Sequence, residues 1–336
     1  MGYKILLSIT ISILISSAWL YEPGATGMTF LKLGIGARPV AMGNAFNAVS
    51  DDGNAIFWNP AGFGISRDFH LTGMGMNMLG FVNYFSLGSL IPVGRFGGIG
   101  VGASYLFAQD TRYSEMGEEL GSFTNSDLLI GLGYAYPFIS SLSGGASMKF
   151  IRSQLAEYSA YSFTTNVGII FSPIKYIYLG SSIRDLGPPR RFISEWEYPP
   201  TNLRNGIALK IPIEESQITI SSDLSVYPDV SPTFSAGGEL ALRLSQMMKK
   251  ISGQPLSGIF IRCGYQSGYH LGNWGGLSFG LGIEYQVYTN LFLILDLVYF
   301  SYGYLGESER VSLSLRYAPS IARRSKSGKR PGRSRR

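Results

Sequence analysis

The sequence has little of what most enzymes and disulfide-rich secreted proteins depend on. Its 336 residues include a single cysteine, Cys263, so no internal disulfide can form. The two histidines, His70 and His270, stand in no cysteine or histidine cluster with metal-ligand spacing. Neither of them accompanies an obvious nucleophile motif. We therefore expect no enzymatic activity, no metal site and no cofactor.

Long apolar runs are also missing after the N-terminus. Without a stretch of about 18 apolar residues, membrane-spanning helices are not expected. Only 15% of the residues are charged, whereas the chain contains 43 glycines, 21 tyrosines and 20 phenylalanines. Weakly apolar sequences that are rich in glycine and aromatic residues are typical of membrane β-barrels, in which only half of the strand residues face lipid.

The one apolar run lies at the N-terminus. It extends from Ile5 to Ile15 after Lys4, and the small residues Ser16-Ser17-Ala18 follow it. This pattern predicts a secretory signal peptide over residues 1–18. A membrane anchor would need about 20 apolar residues, more than this run offers. The mature protein is thus expected to be exported.

The net charge of +6 is concentrated at the opposite end of the chain. Residues 323–336 carry eight basic side chains and no acidic one, which leaves about −2 for the remainder. We interpret residues 319–336 as a disordered basic tail. Such a tail is either a solvated end or a segment attracted to anionic lipid head groups or another polyanion. Because the basicity is confined to the tail, no nucleic-acid partner is expected.

Between Arg67 and Tyr317 the polarity alternates with a period of two, which indicates β-strands. About 14 strands are predicted, an even number as a closed antiparallel barrel requires. They cover residues 66–78, 81–92, 95–108, 122–136, 140–152, 161–172, 175–185, 201–211, 216–226, 232–244, 257–267, 274–287, 290–302 and 307–317. The connections after even strands are tight, whereas those after several odd strands are longer, at 109–121, 186–200 and 268–273. The connection 245–256 breaks this rule and is predicted to hold a short helix.

The alternation also indicates which face of the strands points inward. A soluble sandwich would carry Lys, Glu and Thr on its exposed face, but here the polar face is mostly Gly, Ser and Asn with isolated charges. Glycine on an exposed strand face has no packing benefit, whereas a crowded lumen accounts for it. The charges with lumen parity are Lys149, Arg184, Arg204, Lys210, Asp223, Glu239, Arg243, Arg262, Glu284, Asp296, Arg310 and Arg316. We expect them to pair across strands or with a plug.

The stretch from Gly24 to Gly62 is dense in glycine and other small residues. Its small side chains predict a short helix over Pro39–Val49, ended by the turn residues that begin at Asp51. The stretch could be an ordinary loop. We instead predict that residues 19–65 form a hatch inside a barrel over residues 66–318.

The order of motifs in this stretch resembles the start of PorV/PorQ family outer-membrane proteins. The motifs are Gly24-Ala25-Thr26-Gly27, Phe30-Leu31-Lys32-Leu33-Gly34, Gly36-Ala37-Arg38, Ala41-Met42-Gly43, Asp51-Asp52 and Trp58-Asn59-Pro60-Ala61-Gly62. The stretch is also similar to the hatch of FadL-type transporters of hydrophobic compounds, in which an Asp-Asp pair precedes Asn-Pro-Ala. Both resemblances imply an outer-membrane barrel with an N-terminal hatch.

Two sets of candidate site residues follow. Arg38, Asp51, Asp52, Asn59 and Pro60 are expected to position the hatch in the lumen. A second set shares lumen parity on one strand and could form an apolar path or simply pack against the hatch; it consists of Phe292, Ile294, Asp296, Val298 and Phe300.

The resemblance to PorV leads to the first functional hypothesis, a non-enzymatic barrel that docks or shuttles exported proteins in type IX-like secretion. Its partners would be secreted proteins, other secretion components and outer-membrane lipid. The FadL-like alternative is transport of hydrophobic small molecules across the outer membrane of a diderm bacterium. A third is a structural barrel that braces an outer-membrane complex.

Overall fold

The computed structural model describes residue 24 and residues 26–244, 256–269, 272 and 274–319. The predicted signal peptide, nearly all of the connection 245–256 and all but the first residue of the predicted tail lie outside the described residues.

Fourteen antiparallel strands form a closed transmembrane barrel, which confirms the predicted fold class. Each barrel strand pairs with its neighbours along the chain. The first and last strands close the ring in a register that joins Phe69 to Tyr317 and Met78 to Ser308. The barrel strands are β1 (Phe69–Met78), β2 (Val82–Pro92), β3 (Gly98–Tyr113), β4 (Glu119–Ile139), β5 (Leu142–Leu155), β6 (Tyr158–Ile174), β7 (Ile177–Leu186), β10 (Asn202–Ile213), β11 (Ser216–Val226), β12 (Thr233–Arg243), β13 (Leu256–Gln266), β14 (Leu277–Tyr288), β15 (Leu291–Ser301) and β16 (Glu307–Tyr317).

The two ends of the barrel differ in their connections. One end of the barrel holds tight connections such as Ser140–Ser141, and we call it the short-turn end. The start of β1 and the end of β16 also lie there. The opposite, long-loop end carries the connection from β7 to β10, which contains a small hairpin of β8 (Arg190–Phe192) and β9 (Glu195–Glu197).

The predicted loop 109–121 is wrong. Pairing between β3 and β4 continues to Tyr113 and Glu119, so these strands form a hairpin that extends past their neighbours. The prediction failed because polar residues such as Thr111 and Arg112 were taken as loop residues, whereas their side chains are exposed or half-buried on a paired ribbon.

Apolar side chains cover the outside of the barrel, and polar ones line its lumen. On β14, Leu281 is 59% exposed, whereas Glu284 is fully buried. Cys263, which shares strand parity with the apolar residue Ile261, is exposed on the outer face, as that parity predicts. An exposed apolar outer wall is what a lipid bilayer requires of a barrel. The side-chain pattern of the sequence also predicts an interfacial belt of tyrosines near the short-turn end, Tyr265 among them, but Tyr265 pairs with Leu277 at the start of β14 and hence lies toward the long-loop end.

Residues 26–65, which we call the N-terminal segment, contain only short helical pieces. These are α1 (Ala37–Ala41), α2 (Ala55–Trp58) and the 3-10 turns Thr29–Lys32 and Pro60–Gly64. The predicted helix over Pro39–Val49 is wrong, since Gly43 (φ 60°) and Asn44 (φ 65°) turn the chain into the left-handed region and end α1. None of the helices in the described residues is long and apolar enough to cross a membrane.

Candidate functional site

The N-terminal segment lies in the lumen and bonds to strands around the ring. Its backbone carbonyls accept hydrogen bonds from inward-facing side chains of β5, β7, β10, β11 and β14, while the Ala37 amide donates to Ser312 on β16. Short helices and turns leave most backbone groups without partners of their own, and polar wall side chains satisfy them. The serine-lined inner face therefore serves as a hydrogen-bonding surface for the segment.

Close approach of the backbones accounts for glycine on the wall. A Cβ atom on Gly237 or Gly264 would overlap the backbone of Met42 and Gly43. The polar face thus needs glycine where the N-terminal segment passes, as the sequence argument anticipated. The positive φ of Gly43 adds a second constraint on the other side of this contact.

Arg38 is the centre of an ion-pair network that joins the N-terminal segment to the wall. Its guanidinium donates to Asp51 Oδ1 at 2.6 Å and to Asp52 Oδ2 at 3.0 Å, both within the segment. It also donates from Nε and Nη2 to the two carboxylate oxygens of Glu239 on β12, at 2.8 and 2.9 Å. Lys210 on β10 reaches the remaining oxygen of Asp51 at 2.7 Å. The predicted neighbours Arg38, Asp51 and Asp52 are thus together.

The network continues along the wall beyond Glu239. Arg262 on β13 donates from Nε to Glu239 Oε2 at 2.7 Å and from Nη1 to Asp296 Oδ1 at 2.6 Å. Both carboxylates have the expected lumen parity, but sequence reasoning did not connect either of them with Arg38. Only strand register could have done so, since Glu239 is paired with Arg262 across β12 and β13.

Opposite charges determine the protonation of the segment's own groups. Burial by itself would raise the pKa of Asp51, but Arg38 and Lys210 outweigh it and hold that pKa well below its usual range. Burial would lower the pKa of Arg38, whereas Asp51, Glu239 and Asp52 raise it well above its ordinary value. Both groups are therefore charged at neutral pH.

Asn59 and Pro60 lie at a different contact, against β6. The Asn59 amide donates to the carbonyls of Asn47 at 3.0 Å and Ile169 at 3.3 Å, and its Oδ1 accepts from the amide of Ala61. The proline that follows keeps Asn59 extended, at φ −141°, so the side chain can hold the start of the 3-10 turn. Asn59 and Pro60 are thus separate from the Arg38 network.

A further set of buried wall residues was not assigned to the site by sequence. The Asp223 carboxylate accepts from the amides of Phe46 and Asn47 at 3.0 and 2.9 Å. Arg184 and Arg204 lie over the Trp58 ring, with 5.4 and 5.0 Å from guanidinium carbon to ring centroid. The lumen parity of Arg184 and Arg204 was the only sequence signal that they face the segment. Their contact with Trp58 depends on the path of the segment through the lumen.

The five candidate path residues on β15 face the lumen but form no open passage. Val298 and Phe300 pack against Ala37, Val40 and Ala41 of the N-terminal segment. Asp296 is ion-paired to Arg262, and Phe292 lies under the Arg316 guanidinium at 4.4 Å. In this structure the segment covers Val298 and Phe300, whereas Ile294 and Asp296 line a cavity toward the short-turn end, so a path along the whole strip would require the segment to move.

At the long-loop side of the lumen the wall and the N-terminal segment enclose an apolar region, which we call the apolar chamber. It carries Met74, Met76 and Met78 from β1, Leu129 from β4 and Ile151 from β5; Met28, Phe30, Leu31, Leu33 and Ile35 fill it from the segment. Methionine side chains are flexible and adapt to irregular shapes. The chamber is thus packed in this structure but consists of groups that can rearrange.

Two spaces lie beside the wall, one inside the barrel and one outside it. A cavity of about 470 Å³ lies beside the Arg38 network and reaches the short-turn end at Glu214 and Glu215; we call it the inner cavity. A groove of about 890 Å³ lies on the outside of the barrel between the β1–β2 hairpin and the connection from β15 to β16; we call it the outer groove. Among the described residues, no group of three His, Cys, Asp or Glu side chains is arranged to hold a metal ion.

Several solved structures share this fold. The toluene transporter TodX of Pseudomonas putida aligns with a TM-score of 0.52 and 12% identity over 84% of this chain and 97% of its own. The toluene transporter TbuX of Ralstonia pickettii aligns with a TM-score of 0.51 and 11% identity over 84% of this chain and 97% of its own. A FadL homologue of Pseudomonas aeruginosa aligns with a TM-score of 0.46 and 10% identity over 81% of this chain and 95% of its own. No protein-family model and no curated protein matches the sequence. At these identities the comparison establishes the barrel fold.

Proposed function

We propose that this protein is an outer-membrane transporter of hydrophobic small molecules, in which residues 19–65 act as a hatch. The observation that carries the proposal is the apolar chamber, in which methionine, leucine and isoleucine side chains of the wall face the lumen at its outer end. A lumen that only had to be blocked could be filled with polar or ion-paired side chains throughout. TodX and TbuX, which share the fold, are toluene transporters and support the same direction.

The orientation in the membrane follows from the connections. Short turns of bacterial barrels face the periplasm and longer loops face outward. Residues 1–18 would direct export and then be removed. The apolar chamber then faces the cell exterior, and the inner cavity faces the periplasm.

Transport requires the N-terminal segment to move, because it fills the chamber. A hydrophobic molecule that enters the chamber can take the place of Leu31 and Leu33 in contact with the wall. Each Å² of apolar surface that it buries there stabilises the bound state by about 25 cal/mol. The strip on β15 would then become accessible wherever α1 leaves Val298 and Phe300. The Arg38 network would hold the closed state until the ligand has displaced these contacts.

Uptake of radiolabelled toluene by cells that express the protein tests the proposal. Met76→Lys places a charge in the chamber and should abolish protein-dependent uptake, since Met76 is 4% exposed. Met116→Lys is the matched control, because Met116 is 90% exposed at the tip of the β3–β4 hairpin, and it should transport normally. Heat-dependent gel mobility would verify that both variants are folded barrels. Equal uptake by Met76→Lys would refute the proposal.

Protein docking of the PorV/PorQ type is the second candidate. Large side chains protrude at the long-loop end, among them Trp196 (65% exposed), Trp274 (70%) and Tyr304 (87%). Exposed aromatic residues are common anchors in protein interfaces. Mass spectrometry of material that copurifies from the native membrane tests this role. Secreted proteins that are lost with Trp196→Ser would favour docking in type IX-like secretion, whereas stable membrane partners would favour a structural barrel.

A further inference from the structure

One stretch of the barrel wall presents no hydrogen-bonding side chain to the lumen. It lies on β4, where the inward residues are Leu129, Gly131, Gly133, Ala135 and Pro137. The adjoining part of β3 has glycine at its inward positions, with Gly102 paired to Gly131 and Gly98 paired to Ala135. We call this stretch of β3 and β4 the apolar lane. It begins in the apolar chamber at Leu129 and ends at the short-turn end at Pro137.

The N-terminal segment covers the apolar lane with apolar side chains. Ile56 and Phe57 lie over Gly102, and the Phe63 ring lies over Gly100, where a Cβ atom would overlap the ring. Between the described residues of the segment and those of β3 and β4, no hydrogen bond is formed. The segment and this wall are therefore held together by apolar contacts.

The other walls hold the segment differently. Ser143 on β5 and Ser221 on β11, for example, donate to carbonyl oxygens of the segment. Moving the segment away from these strands leaves buried polar groups without partners, which is strongly unfavourable. Moving it away from the apolar lane removes only apolar contacts, and a hydrophobic molecule in the gap would replace them. The lane is therefore the wall from which a hydrophobic molecule can most readily displace the segment.

The apolar lane ends in a groove of about 870 Å³ at the short-turn end, which we call the short-turn groove. Inward-facing Pro92, Pro137 and Ile170 line it, and among the described residues of its lining only Arg67 and Arg95 are charged. Tyr178 also lines the groove and packs against the apolar cluster that contains both the chamber and Phe63. Apolar contacts thus continue from the chamber to the groove.

We propose that a transported molecule crosses the lumen between the apolar lane and the N-terminal segment, displaces the Phe63 ring and leaves through the short-turn groove. This inference rests on the proposed transport function and adds the route to it. The wall itself stays closed, because β3 pairs with both β2 and β4 without a break from Gly98 to Ala108.

The strip on β15 offers a less favourable exit. At Ile294 and Asp296 it leads into the inner cavity, whose lining also includes Arg38, Glu239 and Arg262. An apolar molecule there would take water away from charged side chains without forming hydrogen bonds to them. The route along the apolar lane avoids this cost.

Uptake of radiolabelled toluene by cells that express matched variants tests the route. Phe63→Ala removes the ring from the apolar lane and should speed protein-dependent uptake about tenfold, the factor that corresponds to a barrier lowered by about 1.4 kcal/mol. Phe300→Ala is the control and should transport like the wild type. The two rings are equally buried, at 0% and 1% exposure, but Phe300 packs against α1 on the β15 side. Heat-dependent gel mobility would verify that both variants are folded barrels.

Photolabelling of the purified wild-type protein provides a second readout that needs no variant. A phenyldiazirine, an apolar molecule close to toluene in size, would be activated in detergent, and the modified residues would be located by mass spectrometry. Labels on the inward residues Leu129, Ala135 and Pro137 should decrease when toluene is in excess. Labels on the outward residues Leu132 and Tyr134, which are 61% and 47% exposed, should persist because they come from the detergent phase.

The possible results separate this inference from the proposed function. Equal uptake by the two folded variants, or faster uptake by Phe300→Ala alone, would overturn the route while leaving transport of hydrophobic molecules standing. If Phe63→Ala does not fold, the labelling decides: toluene-sensitive labels that are absent from the apolar lane, or that fall on Phe292 and Ile294 instead, would overturn the route. No protein-dependent toluene uptake by the wild type would overturn the proposed function itself.

Discussion

Arg38 and Glu239, 201 residues apart in the chain, form a two-point ion pair inside the barrel, with donor–acceptor distances of 2.8 and 2.9 Å. Glu239 lies on the wall and Arg38 on the N-terminal segment, so this pair directly couples the two. Two parallel hydrogen bonds give both strength and a defined orientation. The pair is therefore the natural first target for loosening the segment without touching the barrel strands.

Removing one partner of this pair should destabilise the segment strongly. Arg38→Ala would leave the carboxylates of Glu239, Asp51 and Asp52 without their shared partner, and the loss of one side of a buried pair costs about 3–5 kcal/mol. We expect proteolysis within residues 26–65 that the wild type resists. Arg112→Ala breaks an exposed pair with Glu157 and should behave as wild type. Unchanged protease resistance in Arg38→Ala would show that the network does not hold the segment.

Bulk at Gly264 should displace the segment from the wall. Gly264→Val puts side-chain atoms where the backbone of Gly43 lies, so Met42 and Gly43 must move. Increased single-channel conductance in planar bilayers is the expected result. At Gly238 a Cβ atom would meet only the Thr219 carbonyl oxygen, at 3.8 Å, so Gly238→Ala is the control and should conduct like wild type. A closed Gly264→Val barrel would mean that the segment can shift without opening a passage.

Acid should release the segment. The pKa of Asp51 is lowered in the folded protein, so its ion pairs contribute fully above the unfolded pKa of about 4 and are lost as the pH falls below it. Hydrogen exchange of residues 36–54, corrected for the intrinsic rate, should be constant from neutral pH to about 5 and rise below about 4. Asp51→Asn should exchange faster at all pH values and lose most of this acid dependence. An acid response of the same size in Asp51→Asn would assign it to other carboxylates.

Asn59 should matter at the β6 contact and not at the Arg38 network. Asn59→Ala removes bonds to Asn47, Ile169 and Ala61, each worth about 1 kcal/mol. We expect faster hydrogen exchange over residues 59–64, with residues 36–41 unchanged. Asn77→Ala, which removes a single exposed bond to Asn83, is the control. Faster exchange in both stretches would indicate that the segment moves as one unit.

Much of the barrel could be predicted from the sequence. The ranges of β11 and β16 agree residue for residue with the prediction, because alternation with period two is strong in both and turn residues bound them. The β3–β4 hairpin was predicted too short because its outer part is exposed on both faces. A ribbon of that kind has no buried face to impose an apolar pattern.

The candidate site was predicted only in part. Arg38, Asp51 and Asp52 are close in sequence, so a turn was enough to bring them together. Their partners Glu239 and Lys210 lie 201 and 159 residues from Arg38 and Asp51, and no local pattern connects them. The strip on β15 was placed on the correct face, and packing against the hatch was one of its two expected roles, but which residues of the segment contact it depends on the path of the segment.

The sequence by itself determined the strand count, the inward direction of the glycine and serine face and the charged character of the lumen, because side-chain parity is a local property of a strand. Tertiary structure alone decided which charges meet and where the N-terminal segment touches the wall. These features depend on register around a closed ring and on the path of one irregular segment, and neither is encoded in residues that are neighbours in the chain.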